Sequence, residues 1–457
     1  MLTSTIDKSV RRRRPLPQER IDPDALRIIS RLKRNGHDAY LVGGCVRDLL
    51  LGRTPKDFDV ATSATPEEIR SLFRNSRIIG RRFRLAHIFF GPKIIETATF
   101  RSNPRPMPDP GADQLPDMPT PDDQWCNEPG LDPIQPEPSP PVPMRALGPN
   151  DHLLIRRDNV FGTVEEDAKR RDFTINGLYY DPQRKEVIDY VGGLDDLKVR
   201  QIRTIGNPDV RFREDPVRIL RAIKFAARLD MHIEPATHDA IIRYREQIRY
   251  CAPARVAEEI RRFLREGVSR PAMEIALSLS VLDTLADPIA KAMQKAPSAG
   301  RLRRRLAAAD KAVASGAETT SAVLMANFII EALDPSWPQA QDPSTALQRT
   351  LGPMVTLLHV PKKDADRIRQ ILLAQRRIVD GGPKRRIRAL MNQEAFVESL
   401  FLAEISFLAG LGPDRETILE WKHRIGWPEK RIGGPMPTRP ARRRTNARRR
   451  PSHRPHR

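Results

Sequence analysis

The chain has 457 residues, with 79 Lys and Arg against 58 Asp and Glu, for a formal net charge of +21. That length holds more than one core at about 100–200 residues per domain, and the charge points to a polyanionic partner. No stretch approaches the roughly 18 uninterrupted apolar residues of a membrane span, and the N-terminus lacks the apolar core of a secretory signal, so a membrane or secreted protein is not expected. Cys45, Cys126 and Cys251 are scattered, with neither CxxC spacing nor histidine partners. They argue against a disulfide framework and a zinc site, and fit a reducing cytoplasm.

In chain order, residues 1–25 form a basic extension that includes the run Arg11 to Arg14. Tyr40-Leu41-Val42 reads as a buried strand, Gly43-Gly44 as a tight turn, and Val46 to Leu51 as a short helix stopped by Gly52. Asp57 to Ala61, Leu85 to Phe90 and Ile94 to Phe100 read as further strands. Between the first two of these, Thr65-Pro66-Glu67-Glu68 has the pattern of a helix start: a threonine cap, proline at the first position and glutamate at the third. From Asn103 to Pro149, 15 of 47 residues are proline and eight acids face two arginines. Proline removes the backbone donor and disfavours α geometry before it, so 103–149 is expected to be a disordered insertion. Past about Arg213 the helical period takes over, in segments such as Ala257 to Phe263, Met273 to Leu282 and Ala365 to Leu373. Lys430 to Arg457 holds eleven Lys/Arg and no acid, with Arg442, Arg443, Arg444, Arg448, Arg449 and Arg450 in two triplets. Having little to bury, this tail is expected to be disordered and to make polyelectrolyte contact with phosphates.

The first chemical constellation is Gly43-Gly44-Cys45-Val46-Arg47-Asp48 followed by Asp57-Phe58-Asp59. Residues two apart on a strand share a face, so Asp57 and Asp59 would present two carboxylates together. Such crowding is tolerable with divalent cations between them, and hard oxygen ligands suit Mg²⁺. The glycine turn and the helix start after it could hold phosphate oxygens, with Arg47 adding a fork of donors.

LVGGCVRDLLLG…KDFDVAT resembles the head signature of the class II nucleotidyltransferases: the tRNA nucleotidyltransferases and bacterial poly(A) polymerases of the polymerase-β superfamily. Arg170 to Asn176 resembles the family's RRDFTIN motif, Tyr190 to Leu197 its sheet-to-neck turn, and Arg213 to Arg221 its EDxxRxxR motif. Together they cover roughly Tyr40 to Leu229 in the family's order. The resemblance implies an α+β head with a small mixed sheet (26–185), a neck with a nucleotide-selecting helix (186–251), an all-α, RNA-binding body (252–427) and the Arg-rich tail (428–457).

It also implies the chemistry: transfer of AMP from ATP to an RNA 3′-hydroxyl without a template, releasing pyrophosphate. Asp57 and Asp59 match the family's ligands to two Mg²⁺ ions. A third carboxylate is open between Glu96, on a strand whose register faces the same cleft, and Asp172 of RRDFTIN, which could instead cap or pair locally. Gly43, Gly44, Arg47, Arg171 and Asn176 carry over as nucleotide contacts. Asp215, Arg218 and Arg221, three apart on one helix face, would read the adenine edge by hydrogen bonds. Gly80 to Ile88, Leu154 to Gly162, the basic extension and the tail resemble the poly(A) polymerase branch. A CCA-adding enzyme is the alternative within the class, and an RNA-binding protein with a degenerate head the alternative outside it. RNA 3′ ends and ATP are the expected partners, with proteins of RNA decay also possible.

Overall fold

A computed structural model of the chain describes residues 10–80, 84–102, 160–317, 319–380 and 394–424. The Pro-rich insertion, the arginine triplets of the tail, most of Leu154 to Gly162, Cys126 and Trp427 lie outside the described residues. The chain divides into two compact units, Met1–Leu194 and Asp195–Arg457.

The first unit is built on an eight-stranded mixed sheet in the order β1-β8-β7-β2-β3-β6-β5-β4. Its strands are β1 (Val10–Arg13), β2 (Ala39–Val42), β3 (Asp59–Thr62), β4 (Ser76–Ile79), β5 (Leu85–Phe90), β6 (Lys93–Thr99), β7 (Leu178–Asp181) and β8 (Glu186–Asp189). Only β3 and β6 run parallel; all other neighbours are antiparallel. The basic run near the N-terminus is therefore not a free extension, because Val10–Arg13 is the edge strand paired with β8.

The helices are α1 (Pro23–Arg34), α2 (Gly44–Leu50), α3 (Pro66–Leu72), α4 (Val164–Arg170) and α5 (Gly193–Lys198). Helix α3 starts as its sequence indicates: Thr65 and Glu68 cap each other reciprocally, with Pro66 in the first turn. On one sheet face, Tyr40, Val42, Ala61, Phe100, Tyr179 and Ile188 pack together with Ala168 of α4. The rings of Tyr40, Phe100 and Tyr179 lie 6.1–6.5 Å apart by centroid, which adds oriented aromatic contact to simple burial. The turn after β8 is organised by buried Asp189, whose carboxylate accepts from the amides of Val191, Gly192, Gly193 and Leu194. Gly193 is required there, since a Cβ would lie 2.2 Å from the Thr174 carbonyl oxygen.

The second unit is helical: α6 (Pro208–Glu214), α7 (Val217–Leu229), α8 (Pro235–Tyr244), α9 (Pro253–Arg265), α10 (Ser269–Ser278), α11 (Val281–Gln294), α12 (Ser298–Ala314), α13 (Ser321–Ile329), α14 (Pro343–Leu357), α15 (Lys362–Asp380), α16 (Glu394–Leu408) and α17 (Arg415–Arg424). A two-residue parallel bridge, β9 (Gln201–Ile202) with β10 (His232–Ile233), interrupts them. The expected continuous helix Met273 to Leu282 is broken, because Ser280 takes φ +54° between α10 and α11. Trp421 is body packing: its ring meets Phe396 at 5.3 Å and its indole N–H donates to the Ile378 carbonyl. Among the described residues, no helix is long and apolar enough to cross a membrane.

Candidate active site

The glycine turn ends β2 and opens α2. Gly43 sits at φ +73°, ψ −124°, and no side chain caps the helix that follows. A Cβ on Gly43 would lie 3.2 Å from Arg171 Nη1, so both its conformation and its close approach to the RRDFTIN segment call for glycine. Gly44, the first residue of α2, lies close to the Arg47 guanidinium.

The carboxylates gather from three places. Strand β3 begins at Asp59, so Asp57 lies just before the strand rather than on it. Asp57 is exposed, Phe58 and Asp59 are half-buried, and Val60 is buried behind them. The parallel register Val60 with Thr97 places Asp59 beside Glu96 on the same face. Burial first, then the charges of Glu96 and Asp57, push the Asp59 carboxyl up to about 6, while Arg171 acts in the opposite sense. Like charges crowd here, which is the arrangement a cation would relieve. Among the described residues, however, no three His, Cys, Asp or Glu side chains form a closed metal-ligating group. Beside Asp59, burial and the same carboxylate push the Cys45 thiol up to about 12, leaving it a protonated, inert filler.

Of the two candidates for a third carboxylate, Glu96 is the one the structure brings to Asp59. Asp172 instead turns inward: its Oδ1 accepts from the Phe173 amide at 2.8 Å and from Asn176 Nδ2 at 3.0 Å. It lies just before the short 3-10 turn Thr174–Asn176, which Phe173 begins, and fixes the Asn176 amide. Arg171 lies over the Tyr179 ring at 5.4 Å, with Nε donating to the Tyr179 hydroxyl and Nη2 to Asp167. Its guanidinium is thus fixed by Tyr179 and Asp167, and its charge acts on Asp59.

Two expected nucleotide contacts have a different setting. Arg47 is only 2% exposed, and its guanidinium donates to Asp48 at 2.8 Å and to Asn176 Oδ1 at 2.6 Å. It joins α2 to the 3-10 turn from inside and does not present a fork to solvent. Asn176, likewise buried, bonds Asp172 at its amide nitrogen and Arg47 at its oxygen. Both lie beneath the glycine turn, joined to each other.

In the second unit, the helix-face expectation for Asp215, Arg218 and Arg221 needs correction. Helix α7 begins at Val217, after Pro216, and Asp215 lies outside it with φ −153° and ψ 89°. Arg218 is buried, donating to the Arg211 carbonyl and to Glu214, each at 2.9 Å. Arg221, part-exposed, lies over the Phe225 ring and 3.6 Å from Glu259. Asp215 meets a partner that sequence reasoning missed, Arg255 of α9, which donates to both of its oxygens at 2.9 and 2.7 Å. Forty residues separate the pair, so no local spacing signals it.

The description "Poly A polymerase head domain" matches residues 39–203, and "Probable RNA and SrmB- binding site of polymerase A" matches residues 230–293. A Salmonella typhimurium poly(A) polymerase I is 47% identical over 257 residues, 56% of this chain and 48% of that protein. The Haemophilus influenzae poly(A) polymerase I is 44% identical over 245 residues, 53% of this chain and 47% of that protein. A Leuconostoc mesenteroides CCA-adding enzyme is more distant, at 33% identity over 60% of this chain and 57% of that one. The chain thus spans about half the length of the poly(A) polymerases it matches. The fold is shared with a Bacillus stearothermophilus CCA-adding enzyme solved in complex with CTP, at TM-score 0.54 and 24% identity, over 90% of this chain and 84% of that one. Signature motifs, head domain and relatives agree that this chain belongs to the class II tRNA nucleotidyltransferase and poly(A) polymerase family.

Proposed function

We propose that the protein adds AMP from ATP to RNA 3′ ends without a template, as a polynucleotide adenylyltransferase in messenger RNA processing and turnover. The observation that carries this reading is the placement of Asp59 beside Glu96 at the start of the parallel β3–β6 pair, with the charges of Asp57 and Arg171 also acting on Asp59. It is supported by the higher identity to poly(A) polymerases than to CCA-adding enzymes.

Asp57 and Asp59 are hard oxygen donors whose crowding Arg171 only partly offsets, and two carboxylates completed by water and substrate phosphates suffice for Mg²⁺, so the residues fit two such ions without a closed protein cage. Bound there, the ions would neutralise the triphosphate and lower the pKa of the attacking hydroxyl. The chain's own residues orient the partners. Asp59 and Glu96 fix the acidic side of the cleft, while Arg171, locked by Tyr179 and Asp167, supplies fixed positive charge toward the phosphates. The open backbone of Gly43 and Gly44 allows a phosphate to approach. The RNA 3′-oxygen attacks the α-phosphorus in line, one P–O bond forming as the bond to the pyrophosphate oxygen breaks.

Adenine is selected by Asp215 and Arg221. With Arg255 occupying only part of the Asp215 acceptor capacity, the carboxylate can still accept the exocyclic amino hydrogen. The arginine triplets at 442–444 and 448–450 add a salt-sensitive grip on single-stranded RNA. The cytoplasm, and contact with RNA-decay proteins, complete the reading.

Incubating the protein with an oligo(A) primer, Mg²⁺ and each nucleoside triphosphate separately tests it. Long ladders with ATP alone are expected. One to three additions from CTP and ATP on tRNA ends would assign the CCA reaction, and no extension in any mixture would leave an RNA-binding role.

A further inference from the structure

The sheet face that carries Glu96 continues beyond it, and there the described residues leave it part-exposed. Cross-strand partners in an antiparallel pair share a face. The registers Arg77 with His87, His87 with Glu96, and Phe89 with Ile94 therefore place Arg77, His87, Phe89 and Ile94 on the Glu96 side of β4, β5 and β6. The opposite side of the same strands holds Ala86, Ile88, Ile95 and Thr97, all buried. On the Glu96 side, Phe89 is 37% and Ile94 45% exposed, and Arg77 is exposed. The His87 and Phe89 rings stand edge-to-face with centroids 6.4 Å apart. Two large apolar side chains at the turn end of the β5–β6 hairpin, with a cation on the next strand, are not explained by packing among the described residues of the first unit.

Their distance from the carboxylates is set by the sheet. Ile94 is one strand from Asp59 and two residues along, that is about 4.8 Å across and about 6.7 Å down; Phe89 is one strand further. Along β6, Ile94 is the next residue after Glu96 on the same face. The apolar pair therefore begins where the carboxylate cluster ends.

We propose that Phe89 and Ile94 form the platform on which the 3′-terminal base of the RNA acceptor rests, with Arg77 meeting a phosphate further along the strand. This rests on the adenylyltransferase reading and specifies the acceptor side of the same site. The surface suits single-stranded RNA because an aromatic ring offers every base a stacking partner without reading its edge, as a growing tail requires. A neighbouring arginine supplies the sequence-independent phosphate contact. The platform is also continuous with the cluster where the 3′-hydroxyl must react.

The test uses the full chain with an oligo(A) primer. Phe89→Ala with Ile94→Ser should raise the primer KM about tenfold, the order expected for loss of one stacked base, while the KM for ATP stays within about twofold. Phe89→Trp should restore the primer KM. Arg77→Ala should flatten the dependence of log primer affinity on log salt by about 0.7, the slope for one phosphate contact on a single strand. A primer ending in 4-thiouridine should crosslink to the 85–96 hairpin. An unchanged primer KM in an extending double variant, or crosslinks confined to other peptides, would overturn the proposal and leave the adenylyltransferase reading intact. A double variant altered only in its self-association by light scattering would make the patch a protein interface and equally overturn it. If the unsubstituted chain extends no primer, the adenylyltransferase reading fails first, and the crosslink still reports where RNA lies.

Discussion

Replacing Asp59 by asparagine removes a charge that the head holds against its surroundings. Burial and the nearby Glu96 and Asp57 carboxylates raise the Asp59 pKa from 3.8 to about 6. Because the folded state prefers the protonated form, the associated stability is fully present below 3.8 and is lost as pH rises through about 6. A rise of that size corresponds to about 3 kcal/mol at neutral pH. The side chain is only half-buried, so solvent screening reduces this to about 1–3 kcal/mol. In metal-free solution at pH 7, the Asp59→Asn head should therefore be the more stable by that amount, the advantage shrinking through pH 6 and vanishing near pH 4. Hydrogen exchange of the Val60, Ala61 and Thr62 amides reads the opening free energy of β3 directly, whatever the helical unit does. Adding Mg²⁺ should offset or reverse that advantage, since a ligand at a hundred times its Kd stabilises the binding form by about 2.7 kcal/mol. Equal opening free energies for both proteins at pH 7, or an advantage that persists unchanged to pH 4, would refute the crowding of charge inferred around Asp59.

Two further substitutions separate roles that the sequence leaves open. Glu96→Gln should lower the rate of primer extension on the order of 10²-fold, as for loss of one preorganised charged group, with stability unchanged or raised. Asp172→Asn should instead destabilise the head by about 1 kcal/mol by weakening its hydrogen bonds to the Phe173 amide and Asn176, with most activity retained; the opposite pattern in extension rates and urea melts would exchange the two assignments. Gly43→Ala should lose about 1–2 kcal/mol from its positive φ and also slow extension, because the new Cβ presses on Arg171. An alanine variant equal to the parent in both measurements would show that the turn constrains neither.

Much of this site is local and was therefore readable. Strand alternation, the diglycine turn and the capping box at Thr65 each depend on a few adjacent residues, and β5 (Leu85–Phe90) matches its expected span residue for residue. What escaped depends on burial or on distance along the chain. Arg47 and Arg218 carry the charge of phosphate or base contacts, yet each is enclosed and joined to a nearby carboxylate. No spacing rule distinguishes an arginine facing solvent from one that pins a turn. Asp172 and Glu96 were equal candidates in sequence, and only the parallel pairing of β3 with β6 puts one beside Asp59. Arg255 and β1 were missed because their partners, Asp215 and β8, are 40 and more than 170 residues away in sequence. The basic run at Arg11 to Arg14 reads by composition only as part of an extension, and the pairing of Val10–Arg13 with β8 is a backbone property that composition does not encode.

Anomalous diffraction from crystals grown with Mn²⁺ and a non-hydrolysable ATP analogue would locate the cations without recourse to activity. The expected peaks lie within coordination distance of the Asp57 and Asp59 carboxylates, with the triphosphate passing Gly43 and Arg171. Peaks bound elsewhere in the head, or a triphosphate seated away from those two side chains, would contradict the proposed chemistry.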